Sequence, residues 1–192
     1  MAIISIQGLV VRRGKTQILT GLDWEVKERE HWVILGGNGS GKTTLLSCIT
    51  GYVTPSRGKL FVLGRQYGKS DWRELRKEVG LVTPRIGRAL MARYKILILD
   101  EPCSELDPVA REKFLQFLAR LAESKQMPNL LFVTHHVEEI LPCFGAALVL
   151  RDGAVLAQGP IGKVVITSVL SEAFDSGVVV RRNKGRFHLE LA

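Results

Sequence analysis

Apolar and β-branched residues gather in three runs near the start of the chain, at 3–11, 22–27 and 31–35, and turn residues such as Gly14 and Gly21 separate them. Runs of this kind bounded by glycine predict strands. After Leu35 the pattern breaks into a glycine-rich turn and resumes as a helix over 41–50, which Gly51 ends. A strand is predicted at 58–63, then a short helix at 71–77 with Ser70 or Asp71 as its N-cap, then a short strand at 79–82. Residues 95–99, Lys-Ile-Leu-Ile-Leu, are apolar almost without interruption, as expected of a strand covered on both faces of a parallel sheet.

Asp107-Pro108 places a capping side chain before the residue best suited to the first helical position. In the helix that follows, Ala110, Phe114, Phe117, Leu118, Leu121 and Ala122 fall on one stripe. Pro128-Asn129 ends that element, and 130–133 is a second buried strand followed by a short helix at 137–141. Asp152-Gly153, between strands at 147–151 and 154–157, is a type I′ hairpin signal. A helix over 161–174 and two basic strands at 178–182 and 186–191 complete the pattern. Strand–loop–helix alternation around 95–99 and 130–133 indicates an α/β fold with antiparallel strands near both ends. At 192 residues, 46% of them apolar, the chain is expected to be a single domain, 1–192.

No run approaches the roughly 18 apolar residues of a spanning helix, and the first five residues carry no basic leader. Cys48, Cys103 and Cys143 lack metal-type spacing and read as buried free thiols in a reducing compartment. The 27 Lys and Arg outweigh the 19 Asp and Glu by eight. They cluster at Arg12-Arg13-Lys15, Arg73-Arg76-Lys77, Arg85-Arg88-Arg93-Lys95 and Arg181-Arg182-Lys184-Arg186, a surface that favours polyanions. Apart from Tyr94, aromatic side chains do not interleave these clusters as a single-strand binder requires, so nucleic acid is not the expected partner.

Three short motifs carry chemistry. Gly36-Gly37-Asn38-Gly39-Ser40-Gly41-Lys42-Thr43 fits G-x-x-x-x-G-K-[ST], between a strand and a helix. Glycines let backbone N–H groups wrap a phosphate at the positive end of a helix. Lys42 would reach the β- and γ-phosphates, and the Thr43 hydroxyl would ligate Mg²⁺. Asp100-Glu101 ends the apolar strand, where α/β sheets bind ligands. There Asp100 would hold Mg²⁺ and Glu101 would orient or deprotonate a water. Thr134-His135 ends the next strand, and a neutral imidazole there can contact a γ-phosphate.

Residues 36–44 followed by Leu45-Leu46, the Leu-Ile-Leu-Asp-Glu-Pro run at 97–102, Glu105-Leu106-Asp107-Pro108 and Thr134-His135 occur in the order found in ATP-binding cassette (ABC) ATPases. They resemble that family's Walker A, Walker B, D-loop and switch-histidine motifs, and the similarity runs along almost the whole chain. A guanine-reading N/T-K-x-D is absent. The resemblance implies a P-loop NTPase core of ABC type, with a mainly parallel sheet and an antiparallel β subdomain. It implies ATP and Mg²⁺ as cofactors, with ATP held by Gly36, Gly37, Asn38, Gly39, Ser40, Gly41, Lys42, Thr43 and Thr44, and Mg²⁺ by Thr43 and Asp100. Glu101, His135 and Lys42 would be catalytic, with Asp107 in the D-loop. The implied activity is ATP hydrolysis as the ATP-binding subunit of an ABC transporter, the alternative being a soluble ABC protein outside transport. Implied partners are a second copy packed head to tail and separate membrane subunits, which would place the chain in the cytoplasm on the inner membrane face.

The chain departs from the family at three points. Arg13 stands where the family places an adenine-stacking aromatic; a guanidinium can stack on a purine, or Arg13 is a solvated loop residue. Pro84 stands where glutamine is expected. Asp100 follows Lys42 by only 58 positions, and neither a helical subdomain nor an LSGGQ-type signature lies between them. Either the chain carries a deletion at 84/85 or the numbering passes over an additional segment there. With a true deletion, the reading becomes a nucleotide-binding module without effective hydrolysis, because donors for the transition-state charge are missing.

Overall fold

The computed structural model describes residues 1–82, 94–124, 127–183 and 185–192. Pro84, the 84/85 junction, the basic residues at 85–93 and Lys184 lie outside the described residues. Strands β1 (Ala2–Arg13) and β2 (Thr16–Lys27) form one long antiparallel ribbon. Gly14 sits in its turn, but Gly21 lies inside β2 at φ 99°. The sequence pattern predicted a break there. Instead the glycine's positive φ absorbs the irregularity, and the ribbon continues through register shifts.

The remaining strands are β3 (Trp32–Leu35), β4 (Arg57–Val62), β5 (Arg65–Gln66), β6 (Val79–Val82), β7 (Ile96–Asp100), β8 (Asn129–Val133), β9 (Ala146–Arg151), β10 (Ala154–Pro160), β11 (Val178–Asn183) and β12 (Arg186–Leu191). One sheet runs β2-β1-β4-β5 and is antiparallel throughout; a second runs β10-β9-β3-β8-β7-β6 and is parallel except for β10; β11 and β12 pair antiparallel as a third. Every residue of β3 and β8 is buried, because alternate side chains enter opposite layers. Ile34, Leu131 and Val133 pack toward the antiparallel sheet and helix α1 (Lys42–Ile49), with Trp72 and Leu75 of the short α2 (Trp72–Leu75). Val33, Leu35, Leu130 and Phe132 pack on the other face against Leu115 and Leu118 of α3 (Pro108–Ala122).

Capping follows the sequence. Asp71 accepts a hydrogen bond from the Arg73 N–H at α2, and Asp107 accepts from the Val109 and Ala110 N–H groups at α3, both at 2.9 Å. Three expectations are corrected. Phe117, read onto the buried stripe of α3, is 47% exposed, and Leu115 takes the inward position. The helix expected at 137–141 is a 3₁₀ turn, Val137–Glu139. The helix expected over 161–174 divides into α4 (Ile161–Val164) and α5 (Thr167–Phe174), because Ile166 takes extended geometry at φ −130°, ψ 159°. Three consecutive β-branched residues, Val164-Val165-Ile166, weaken the helix where it breaks.

Candidate active site

Strands β3, β8 and β7 lie side by side in the parallel sheet, and their carboxyl ends deliver residue 36, Thr134 and Asp100 to one edge. Backbone bonds tie the ends together: the Glu101 N–H donates to the Val133 carbonyl at 2.9 Å, and the Thr134 N–H donates to the Ile34 carbonyl at 3.2 Å.

Gly36 turns the chain out of β3 at φ 151°, and a Cβ there would collide with the Leu150 carbonyl and the Ser40 hydroxyl. Gly41 opens α1 in left-handed geometry, φ 102°, with the Leu19 side chain 2.7 Å from where a Cβ would sit. Only glycine fits both places. Between them lies a cavity of about 480 Å³, lined by Ile18, residues 38–44, Asp100, Glu101 and Ser104. Gly36 and Gly37 do not line it; their carbonyls accept hydrogen bonds from the Lys42 ammonium at 2.8 and 3.0 Å. The Ser40 hydroxyl is buried without a hydrogen-bond partner among the described residues, an orphan donor in a loop shaped for phosphate.

Lys42 and Asp100 both shift toward their neutral forms. Burial lowers the Lys42 pKa, partly offset by Glu101 and Asp100. Burial raises that of Asp100, and Glu101 adds to the rise while Lys42 opposes it. Glu101 itself holds left-handed backbone, φ 47°, a strained placement for a residue with a side chain. Its Oε1 lies 3.2 Å from His135 Nδ1, with both side chains about one-third exposed. So Lys42, Thr43, Asp100 and Glu101 meet in the cavity, and His135 reaches it through Glu101. Arg13 stands apart, at the exposed end of β1 and outside the lining.

A buried pair unforeseen in the sequence supports the histidine. Glu139 is 2% exposed, and its Oε2 accepts a 2.6 Å bond from the Thr134 hydroxyl. That hydroxyl in turn accepts from the His136 N–H at 3.0 Å. These bonds tie the end of β8 to the 3₁₀ turn that follows it, and Glu139 adds to burial in raising the Cys103 thiol pKa to about 12.

Comparison with known proteins agrees with this geometry. The family profile for ABC transporters matches residues 19–85. The ABC transporter ATP-binding protein YlmA of Bacillus subtilis (strain 168) is 32% identical, over 99% of this chain and 97% of that protein. This chain belongs to the ABC transporter ATP-binding proteins. The aliphatic sulfonates import ATP-binding protein SsuB of Granulibacter bethesdensis is 31% identical, over 83% of this chain and 84% of its own length. Among solved structures, cbiO1 from Clostridium perfringens superposes with a TM-score of 0.75 at 20% identity, covering 89% of this chain and 93% of that one.

As a member of the ABC ATPases the chain is a nucleotide-binding protein. The metal chemistry is limited by the residues present. Among the described residues no three His, Cys, Asp or Glu side chains gather as a cage. One carboxylate, one hydroxyl, water and phosphate oxygens suit Mg²⁺, which dehydrates reluctantly. Ile18 and Ser104 line the cavity without any motif to announce them. Among the described residues no helix is long and apolar enough to cross a membrane.

Proposed function

We propose that this ABC protein binds ATP with Mg²⁺ in the cavity at residues 38–44 and hydrolyses it. The observation that carries the reading is the meeting of Lys42, Thr43, Asp100 and Glu101 around one space, with His135 in contact with Glu101. The amides of the loop and the end of α1 face phosphate, and Lys42 leaves the Gly36 and Gly37 carbonyls to follow the incoming negative charge. Thr43 and Asp100 would hold Mg²⁺, which neutralises charge on the phosphate oxygens. Glu101 accepts a proton from the attacking water, and His135 steadies that carboxylate and the terminal phosphate. Asp107 is already used as the cap of α3, so its part in the site is to hold the loop that follows Glu101.

The partners that fit are a second copy of the chain, packed head to tail, and separate membrane subunits; cbiO1 is part of the ABC transporter complex cbiONQ. Exposed apolar side chains at Leu106 and Val109, beside the cavity loop, support such a contact. On this reading the protein works in the cytoplasm, against the membrane through its partners.

A second reading follows from the short spacing of Lys42 and Asp100, 58 positions with no LSGGQ-type signature between them. We place the missing signature segment at 84/85, between those two residues. If the missing segment supplies the donors for the opposite site, the chain alone takes up nucleotide and turns it over at background rate. Steady-state ATPase of the chain and of its Glu101→Gln variant separates the two. Under the first reading, the variant binds Mg-ATP as the parent does and turnover falls by about 10²–10⁴. Equal turnover by both proteins contradicts the hydrolytic assignment and leaves the second reading.

A further inference from the structure

The turn between β9 and β10 does more than join two strands. Gly153 is buried there at φ 75°, and both of its backbone polar groups bond outside the hairpin. Its N–H donates to the Ser40 carbonyl at 3.2 Å. Its carbonyl accepts from the Thr20 N–H at 3.0 Å and from the Thr20 hydroxyl at 3.2 Å. A Cβ at 153 would collide with the Ile18 carbonyl and push the turn off β2. A tight hairpin alone requires left-handed geometry at this position, which Asn also adopts. The close approach to β2 adds a demand that only glycine meets.

The hairpin is the fixed partner in this contact. Ala147, Leu148, Val149 and Leu150 are fully buried in β9, which pairs with β3. The Arg151 guanidinium lies 3.5 Å from Asp175 and 3.8 Å from Glu172, so the turn is also held to the end of α5. Among the described residues, the other hydrogen bonds of residues 37–41 stay within the loop and α1. A peptide group is planar and trans, so its C=O and N–H point in opposite directions. The Ser40 carbonyl and the Gly41 N–H belong to one such group. With the carbonyl held by Gly153, the Gly41 N–H points away from the hairpin, toward the cavity that Gly41 lines, and it has no acceptor among the described residues. Turned over, the same peptide would present a carbonyl oxygen to phosphate and repel it.

Resting on the nucleotide site proposed above, we infer that Gly153 is a positioning residue for phosphate: it holds the 40–41 peptide in the orientation that donates to the incoming ligand, and Thr20 braces it from β2. Gly153 touches no ligand itself. It acts through Ser40 and Gly41.

The test replaces the amide between residues 152 and 153 by an ester, which deletes the Gly153 N–H and leaves every side chain in place. Asp152→Asn is the control, exposed in the same turn and outside the bond. The parent and both altered proteins, with ¹⁵N-labelled glycine, are titrated with Mg-ATP and with magnesium tripolyphosphate. In the parent, the Gly41 amide proton should move downfield as either ligand saturates the site. The ester should weaken both ligands by about five-fold or more and largely suppress that movement, and Asp152→Asn should match the parent. A parent that binds while the Gly41 resonance stays in place overturns the inference, whether or not the ester protein folds. A folded ester protein that binds both ligands as the parent does also overturns it. So does an equal loss from Asp152→Asn, because the turn then acts only through the stability of the hairpin. A parent that takes up neither ligand removes the nucleotide site itself, and the positioning role with it.

Discussion

Asp100 illustrates the tension in the site at the level of single residues. Its carboxyl is raised above its ordinary pKa, chiefly by burial and then by Glu101. The fold therefore prefers the proton: the stability this group contributes is present at acid pH and is lost as pH rises through the raised value. Asp100→Asn should raise the melting temperature of the nucleotide-free protein by a few degrees at neutral pH, with the gain vanishing as the solution is acidified. It should also abolish stabilisation by Mg²⁺ with nucleotide. An unchanged or lower melting temperature at neutral pH contradicts this balance. The Thr134–Glu139 pair makes a second residue-scale prediction. Thr134→Val leaves a carboxylate and an N–H buried without their hydroxyl partner and should cost about 1–3 kcal/mol in denaturant unfolding. Adding Glu139→Leu should return much of that loss, since two apolar partners leave no orphan carboxylate. If the double variant is as unstable as the single, the hydrogen bond is not what Thr134 supplies.

At the scale of elements, local chemistry was legible and long-range chemistry was not. The glycine-rich turn, the Asp107 cap, the strand through Leu97 and Leu99 and the Asp152-Gly153 hairpin each announce themselves within a few residues, because turn and cap geometry is set locally. Gly21 misleads: a glycine inside a strand and one in a turn look alike until the partner strand is in place. Phe117 misleads because a helical stripe leaves its edge positions undecided, and in α3 the sheet is contacted by Leu115 and Leu118. That assignment is testable. Leu118→Ala should destabilise by about 2–5 kcal/mol, while Phe117→Ala should stay within about 0.5 kcal/mol of the parent. Comparable losses from both would mean that α3 packs in another rotation. Of the candidate site, the residues that touch phosphate, metal and water were readable from three motifs, whereas Ile18 and Glu139 depend on which strand lies beside which and carry no local signature.

For the molecule as a whole, function rests on the strand order. Residues 36, 100 and 134 are far apart in the chain and become neighbours only because β3, β8 and β7 are adjacent and parallel. The antiparallel sheet packs against α1 and carries Ile18 to the cavity wall, so both sheets contribute to the space that a nucleotide would fill. The short spacing between Lys42 and Asp100, without an LSGGQ-type signature, bears on turnover, not on that framework. Uptake of Mg-ATP followed by calorimetric titration is therefore the most direct measurement, since it needs neither partner subunit nor hydrolysis. The parent should saturate at one nucleotide per chain, and Lys42→Ala, which loses a charge-assisted contact to phosphate, should bind about ten-fold to a hundred-fold more weakly. Equal uptake by both proteins, or none by the parent, would contradict the account.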